Sequence, residues 1–462
     1  MNLIMSSLMS FAGWAWGWPL VSILVGSSII YSISLKFVQF RRFGFIMKNT
    51  FGKIFEKDIK GEGTLTPFQA VSSALAGTLG TGNIAGVGVA IGLGGPGAIF
   101  WMWVVALLAA VVKYAEVVLG IFYREKDPET GVYRGGFMYM LTNGLGENWR
   151  WLAMIWSFLL AVQFLISGAV QSNALADVLK LSFGFNKLAV GISVAIMVGI
   201  VIIGGIKRIG KFAEKVVPPM ALIYFLGSMA IILLNINMIP QALITIVKTA
   251  FSGMAPAGGF AGVTVMMTIR HGFARGVYSN EAGMGTSPIA HATATTDHPA
   301  RQGVWGIFEV FVDTIIMCTM TGLVIMVTGS LASGEIGASL TAYAFGAGLP
   351  GPGHLLVTVS TFFFAFTTML LAEFYSETGA QYVFGNKVVK PFRYAFIIAL
   401  VLGSIGGLKF VWGLYDVFMA VTVAINVIFV TYMRKDVIRL TKEFFDSDGL
   451  LSNDELEEKL DA

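Results

Sequence analysis

The pattern Asn-x-Ala-Gly-x-Gly occurs twice, at residues 83–88 and 280–285, and both copies interrupt strongly apolar stretches. Glycine costs about 1 kcal/mol relative to alanine inside a helix, and an asparagine amide in hydrocarbon is costly unless it is paired. A helix broken inside a membrane exposes backbone carbonyls, which attract cations, and backbone amides, which attract carboxylates. Broken helices at matching places in two halves of a chain are typical of a transporter's binding site.

The first copy follows a glycine- and threonine-rich run, because residues 77–83 read GTLGTGN. Its carbonyls and threonine hydroxyls suit a hard cation such as sodium, and the exposed start of the second half-helix suits a carboxylate. The alternative is close helix packing, since Gly82 and Gly86 have the GxxxG spacing, as do Gly88 and Gly92. The asparagine and the second copy favour a binding site over packing alone.

The second copy is richer in charge, because Glu281 follows Asn280 and three basic side chains, Arg270, His271 and Arg275, come shortly before it. Charged side chains within a membrane span almost always face protein or water, which predicts that this segment borders a cavity. Glu281 is a candidate for ion coupling or gating. The alternative is a structural ion pair between Glu281 and Arg270 or Arg275.

Two other apolar segments contain polar side chains. Thr367 and Thr368 offer hydroxyls within a phenylalanine-rich stretch, although threonine often bonds a carbonyl of its own helix. Gln163 and Gln171 are uncommon amides in another apolar stretch. One of them is a candidate to contact a polar ligand, and a bond between helices is the alternative.

Several acidic residues have plainer interpretations. Lys113 and Glu116 are three residues apart on one expected helix, a spacing that favours an ion pair between them. Two acidic pairs spaced by four residues are candidates for a proton relay, but pairing with an arginine near the second copy or with a loop base is favoured. These pairs are Glu309 with Asp313 and Glu373 with Glu377.

The composition is that of a multi-span membrane protein. The chain is 56% hydrophobic, its mean hydropathy is +0.76 and only 13% of its 462 residues are charged, whereas soluble domains carry about 25% charged residues. The one cysteine, Cys318, excludes an intrachain disulfide and, on one chain, zinc–thiolate or iron–sulfur chemistry. The sequence has no HExxH motif or nucleophile elbow. We therefore expect a protein of the lipid bilayer that is not an enzyme, needs no cofactor and has no nucleic-acid partner.

Turn and charge clusters divide the chain into eleven apolar segments, each near the roughly 20 residues that a transmembrane helix needs. Their expected limits are 14–38, 66–95, 97–123, 149–179, 186–206, 214–235, 257–287, 303–329, 352–381, 391–408 and 412–433. Prolines lie at or near the ends of these segments, where helices tolerate them. No signal-peptide pattern is present, so residues 1–40 are expected to be retained.

The distribution of basic residues predicts how the chain crosses the membrane. Of the 31 lysines and arginines, 24 fall in one set of alternate loops and the C-terminal tail, and only four fall on the opposite side. Basic residues accumulate in cytoplasmic loops. The N-terminus is therefore expected outside the cell and the C-terminus in the cytoplasm, with the protein in the plasma membrane.

The segments also divide into two halves. Apart from the N-terminal region 1–65 with its extra helix, five segments lie in 66–235, five lie in 257–433, and a cytoplasmic tail, 434–462, follows. Because five is odd, the second half must enter the membrane inverted relative to the first. The expected fold is an all-α polytopic membrane protein of about 11 transmembrane helices. It has one extra N-terminal helix and a 5+5 inverted repeat with two discontinuous helices, one opening each half.

Three runs of sequence carry a family likeness: residues 96–103 read PGAIFWMW, residues 77–88 read GTLGTGNIAGVG and residues 275–290 read RGVYSNEAGMGTSPIA. They resemble the signatures of the alanine or glycine:cation symporters, and the likeness extends over nearly the whole chain. One departure is Ala109 or Ala110, where the tryptophan signature has a closing glycine. The resemblance implies the five-plus-five fold of the bacterial leucine transporter and import of alanine or glycine with sodium.

The resemblance also implies which residues bind. Backbone amides near Thr81 and Gly82 would bind the substrate carboxylate, Asn83 would lie at the substrate or a second cation, and Asn280 would face the substrate from the other side. The expected substrate-binding residues are Thr78, Thr81, Gly82, Asn83, Gln171 and Asn280. The expected sodium site consists of the carbonyls of Ala76 and Leu79 and the hydroxyls of Thr367 and Thr368.

Two other functions fit the same fold. A proton-coupled amino-acid transporter would differ only in the coupling ion. A channel or a non-transporting sensor is less favoured, because a channel lines a continuous path with polar or charged rings. The polar residues of this chain concentrate instead in two central patches.

Overall fold

The computed structural model describes residues 2–53, 61–128, 131–254 and 262–448. Residues 257–261 of the expected second half and 449–462 of the expected tail lie outside the described residues. The described chain is almost entirely helical, with one small pair of strands, β1 (Glu125–Lys126) and β2 (Tyr133–Arg134), which run antiparallel.

The first half of the described chain contains twelve α-helices. They are α1 (Asn2–Ala15), α2 (Trp18–Ser34), α3 (Val38–Arg41), α4 (Phe43–Asn49), α5 (Pro67–Thr78), α6 (Val87–Gly94), α7 (Gly97–Phe122), α8 (Phe137–Tyr139), α9 (Arg150–Phe183), α10 (Lys187–Ile202), α11 (Gly205–Leu234) and α12 (Ile239–Ser252).

Nine α-helices make up the second half of the described chain. They are α13 (Val265–Asn280), α14 (Ser287–His291), α15 (Pro299–Val310), α16 (Thr319–Val327), α17 (Ala338–Gly348), α18 (Pro352–Phe384), α19 (Val389–Ile405), α20 (Leu408–Tyr432) and α21 (Arg434–Glu443). Shorter π-helical and 3-10 turns extend or join these helices at Phe51–Lys53, Gly82–Gly86, Met140–Leu145, Glu147–Trp149, Ile236–Met238, Phe311–Cys318, Ser330–Ser333, Asn386–Val388 and Phe444–Asp448.

Eight helical stretches in the described residues are long and apolar enough to cross a membrane. They are Ser6–Ser34, Gly97–Phe122, Glu147–Phe183, Gly205–Leu234, Pro299–Val327, Pro352–Phe384, Asn386–Ile405 and Phe410–Tyr432. The bent pair Pro67–Thr78 and Gly82–Gly94 makes a ninth if it counts as one span. The expected all-α polytopic membrane fold is confirmed, whereas the count of eleven spans and the division into two five-helix halves remain predictions.

One span starts earlier than the sequence suggested. Helix α11 begins at Gly205, so Pro218 and Pro219 lie inside it rather than near its end. The basic residues 207–215, interpreted from sequence as a loop, form its first turns. Lysine and arginine are good helix formers, and their long side chains can reach water from a helix that emerges from the membrane.

The first Asn-x-Ala-Gly-x-Gly segment breaks its helix. Helix α5 starts with Thr66 and Gln69 in a reciprocal capping box, and it ends at Thr78. The chain resumes at an angle of 40° as the π-helical turn Gly82–Gly86 followed by α6. The bend leaves the backbone between the two halves without a regular helical hydrogen-bond pattern.

The second segment is broken more widely. Helix α13 ends at Asn280, and residues 281–286 are not helical before α14 begins. Glu281, Gly283 and Gly285 have φ values of +56°, +85° and +75°. A left-handed backbone costs an ordinary residue about 1–2 kcal/mol, which explains the glycines at 283 and 285. Glu281 adopts the same conformation without that advantage.

Helices α9 and α18 pack side by side and flank the first break. They bring Gln171 of α9 and Thr368 of α18 to this break from different sides. The tryptophan run at 101–103 belongs to α7, which packs against α13 and so supports the second break.

Candidate functional site

The first break leaves a backbone amide that a neutral side chain occupies. The N–H of Thr81 donates to Gln171 Oε1 at 3.1 Å, and Gln171 Nε2 donates to the hydroxyl of Tyr278 at 3.0 Å. A carboxylate accepts hydrogen bonds that are about twice as strong as those of a neutral amide oxygen. An anionic group can therefore take over the Thr81 amide by displacing the Gln171 side chain.

The carbonyl side of the first break meets Thr368. Its Oγ1 donates to the carbonyl of Ala76 at 3.0 Å. A Cβ added at Gly80 would lie only 2.3 Å from Thr368 Oγ1. Thr367 instead donates to a carbonyl of its own helix at 2.9 Å. Leu79 leaves helical geometry, with ψ of 78°. Of the two expected threonine ligands, the structure brings Thr368 to the break and leaves Thr367 facing away.

A small cavity lies beside this break. It is lined by Gly77, Thr78, Gly80, Gly82, Ser167, Gln171, Tyr278, Glu281, Thr368 and Tyr415. Its free space admits about one water-sized sphere, so a larger ligand requires side chains to move apart. Thr78, Gly82, Gln171 and Thr368, all expected from sequence to bind, line this cavity.

Asn83 connects the first break to the π-helical turn between α15 and α16. Its Oδ1 accepts from the N–H of Gly80 at 3.0 Å, and its Nδ2 donates to Asp313 Oδ1 at 2.6 Å and approaches Cys318 Sγ at 3.4 Å. Ser279, one residue before the second break, donates to the same Asp313 oxygen at 3.0 Å. The hydrogen bonds of Asp313 within the described residues come from neutral groups, and its side chain is fully buried. A buried carboxylate in this setting can take a cation or a proton.

Two charged residues of α7 hold the second break. Lys113 Nζ donates to the carbonyl of Asn280 at 2.7 Å, and Glu116 accepts the N–H groups of Gly283 at 3.1 Å and Gly285 at 2.9 Å. The expected ion pair between Lys113 and Glu116 is therefore wrong. The side chains bind opposite sides of the break, because freed carbonyls attract a cation and freed amides attract a carboxylate.

Lys113 also forms part of a buried chain of polar side chains. Its Nζ lies 2.9 Å from Glu309, and the other Glu309 oxygen lies 2.8 Å from His291 Nε2, with all three side chains fully buried. The expectation that Glu309 pairs with an arginine near the second copy is therefore wrong. The same expectation is wrong for Asp313, which accepts hydrogen bonds from Asn83, Ser279 and Thr314. Glu309 and Asp313 have separate partners, which does not support a direct relay between them.

Asn280 does not face the small cavity. Its Nδ2 donates to Thr314 Oγ1 at 3.1 Å, and its Oδ1 accepts the N–H of Ala282 at 3.0 Å. An asparagine at a helix end can bond nearby backbone, as the Oδ1 of Asn280 does, whereas its NH2 group bonds Thr314 of the π-helical turn Phe311–Cys318. Tyr278 and Glu281 line the cavity from this span instead.

Arg275 pairs with Asp416 of α20, and its guanidinium lies 4.5 Å from the centre of the Trp412 ring. Glu281 accepts a hydrogen bond from Thr286 Oγ1 at 2.7 Å. The alternative of an ion pair between Glu281 and Arg275 is therefore wrong. Glu281 lines the small cavity.

Several residues of the site had no assigned role from sequence. Ser279, Tyr415 and Asp416 reach it from α13 and α20. Asp313 was considered from sequence, but as a residue that pairs with a base. An acidic residue in an apolar span is a signal for a functional position. That signal marks Asp313 and Asp416, but it does not reveal which partners meet them.

The chain is similar to known transporters over nearly its whole length. A profile of the sodium:alanine symporter family matches residues 1–457. The transporter YflA of Bacillus subtilis is 43% identical over 442 residues, which cover 94% of this chain and 92% of YflA. The sodium/alanine symporter AgcS of Methanococcus maripaludis is 40% identical over 436 residues, covering 93% of this chain and 94% of AgcS.

Among solved structures, a point mutant of a manganese transporter from Eremococcus coleocola superposes with a TM-score of 0.53. The superposition covers 88% of this chain and 94% of that one, at 11% sequence identity. At so low an identity the match supports a shared transporter fold and says nothing about the transported ion.

Proposed function

This chain belongs to the sodium:alanine symporter family, and we propose that it imports the small neutral amino acids alanine and glycine together with sodium. Family membership makes it a membrane transporter of the cation-coupled amino-acid symporter class rather than an enzyme. The choice of amino acid, the coupling ion and the residues that bind them are the proposed part.

The contrast between the two breaks carries the proposal. The amides of the second break are held by the Glu116 carboxylate, whereas the Thr81 amide of the first break is held by the neutral oxygen of Gln171. A substrate carboxylate competes well with a neutral amide and poorly with a carboxylate. We therefore assign substrate binding to the first break and a supporting role to the second.

The cation is assigned to the carbonyl side of the first break. The Ala76 carbonyl and the Thr368 hydroxyl lie 3.0 Å apart, and oxygens of this kind suit a hard cation such as sodium. Leu79 is kept as a further carbonyl ligand. Thr367 becomes a ligand only if its hydroxyl turns away from its own helix. Sodium entering down a membrane potential supplies roughly 2.3 kcal/mol per charge per 100 mV.

The lining of the cavity favours a small substrate. Glycines 77, 80 and 82 supply backbone on one side, and the rings of Tyr278 and Tyr415 close it on another. Glu281 gives the same cavity a carboxylate that can attract the amino group of a zwitterion. The charge distribution supports a plasma-membrane location with the N-terminus outside and the C-terminus in the cytoplasm.

Uptake by proteoliposomes containing the purified protein tests the proposal. We expect saturable uptake of alanine or glycine that requires an inward sodium gradient and stops when choline replaces sodium. If a pH gradient without sodium drives uptake equally well, the coupling ion is a proton and not sodium. The buried Asp313 carboxylate is then the candidate proton site. Flux that does not saturate and ignores both ions would indicate a channel.

A further inference from the structure

A second and much larger cavity, of about 620 Å³, lies next to the site but shares no lining residue with the small cavity. Its mouth is at the exposed residues Asn386 and Lys387, in the 3-10 turn before α19, and Lys390, in the first turn of α19. The charge distribution places this end of α19 on the cytoplasmic side. Its walls come from β2, α11, α14, α18 and α19, and representative lining residues are Arg134, Ile206, Ile289, Glu373, Glu377 and Arg393.

The inner wall of this cavity carries two carboxylates and one guanidinium. Arg393 Nε and Nη2 donate to the two oxygens of Glu377 at 2.6 and 3.1 Å. The same Nε lies 3.5 Å from Glu373 Oε1, an oxygen to which the described residues donate no hydrogen bond. These acids pair with a basic residue, as expected, but Arg393 lies in α19 and not in a loop, and it satisfies Glu377 first.

Glu373 is the buried member of this group, because its side chain is only 2% exposed. The other cationic lining residues do not compensate it: Arg134 pairs with Asp127, and Lys387 and Lys390 are exposed at the mouth. Arg393 serves both acidic side chains and bonds Glu377 with two hydrogen bonds, so Glu373 is left incompletely paired. A buried carboxylate that is incompletely paired favours the arrival of a cation.

The two cavities are neighbours along α18. Thr368 lines the small cavity and Glu373 lines the large one, and their separation of five residues corresponds to about 7.5 Å of helix rise. The second broken span also touches both, with Glu281 at the small cavity and Ile289 at the large one. A cation that leaves Thr368 toward the cytoplasmic mouth thus has Glu373 as the next carboxylate along this helix.

We propose that Glu373 is a transit site for the coupling cation, a hard monovalent ion such as sodium, on its way from the first break to the cytoplasm. Arg393 competes with the cation for this carboxylate and keeps the ion from resting there. The assignment depends on the proposed sodium coupling and adds to it a release site on the far side of α18.

The test is Glu373→Gln in proteoliposomes, with sodium-dependent alanine binding measured separately on the detergent-purified protein. The affinities for alanine and sodium should stay within about twofold of the wild type, since the binding site is elsewhere. The maximal uptake rate should fall about tenfold, which corresponds to about 1.4 kcal/mol on the release step. Sodium trapped in the lumen should also inhibit uptake by Glu373→Gln less than it inhibits uptake by the wild type. In the wild type, luminal sodium returns to the binding site by way of the Glu373 carboxylate.

In Arg393→Gln, luminal sodium should inhibit uptake at lower concentrations than in the wild type. Glu373 and Glu377 then have no guanidinium to compete with the ion. Glu147→Gln, at an exposed carboxylate, serves as the control and should behave like the wild type. The transit site would be overturned if Glu373→Gln had the uptake rate and the luminal sodium inhibition of the wild type. It would also be overturned if this variant lost sodium-dependent binding and uptake to the same extent. A wild-type protein that ignores sodium would overturn the proposed function and this assignment with it.

Discussion

The side-chain amide of Asn83 lies 2.6 Å from the carboxylate of Asp313, and this contact joins the first broken helix to the α15–α16 span. Ser279 donates to the same carboxylate from beside the second break. Movement of either broken span relative to α15–α16 must therefore change the surroundings of one buried charge. This arrangement connects the proposed substrate site at the first break to the second break through Asp313.

Asp313→Asn should abolish sodium-stimulated uptake while leaving the protein folded, because it removes the charge but keeps a side chain of the same shape. Initial uptake rates with and without sodium are the measurement. Asp177→Asn, at a partly exposed ion pair with Lys187, is the matched control. If Asp313→Asn retains sodium stimulation within about twofold, the carboxylate serves only to hold the helices together.

Gln171→Glu should weaken alanine binding by at least about tenfold, since a carboxylate holds the Thr81 amide more firmly than a neutral oxygen does and repels the substrate carboxylate. Gln171→Ala, which removes the competing oxygen from the Thr81 amide, should leave binding unchanged or strengthen it. Equilibrium binding of radiolabelled alanine to both variants makes the comparison. Equal losses in the two variants would mean that Gln171 contributes directly to binding instead of competing with the substrate.

Thr368→Val and Thr367→Val form a matched pair, since each replaces a hydroxyl with a methyl group of similar size. We expect Thr368→Val to raise the sodium concentration for half-maximal alanine binding about tenfold, as expected for loss of one ligand to a charged group. Thr367→Val should change it less than about threefold, because that hydroxyl bonds its own helix. The reverse order would show that α18 rotates before sodium binds.

Glu116→Gln should lower thermal stability measurably, because a neutral amide replaces the acceptor of two buried backbone N–H groups. Hydrogen bonds to a charged group contribute about 1.5–3 kcal/mol each. The apparent melting temperature of the purified protein in detergent is the readout. Glu147→Gln should not change it, because an ion pair whose carboxylate side chain is 75% exposed contributes little.

The positions of the two breaks could be predicted from sequence, because glycine and asparagine in an apolar helix are locally unfavourable whatever surrounds them. Thr368 and Gln171 were also singled out as polar side chains in apolar spans, with a bond inside the helix or between helices as the alternative. Which side chains satisfy each break could not be predicted in this way. Lys113 and Glu116 have the spacing of an ion pair on one helix, and only the packing of α7 against α13 reveals their separate roles.

Asn280 illustrates the same limit. Its place in the repeated motif suggested a role equivalent to that of Asn83, but its amide bonds Thr314 and Ala282. The two asparagines differ because the second break is wider, so residues after Asn280 fold back onto it. A repeated motif predicts equivalent positions in the chain, whereas the local backbone decides where each side chain points.

Cys318 is the one sulfhydryl in the sequence, and it is buried 3.4 Å from Asn83 Nδ2 and 3.2 Å from Ser279 Oγ. The native protein therefore contains a single thiol placed between its two discontinuous helices. We expect alkylation of that thiol to require separation of the helices. The alkylation rate would therefore report how often the two discontinuous helices separate, in the wild-type chain and without an engineered cysteine.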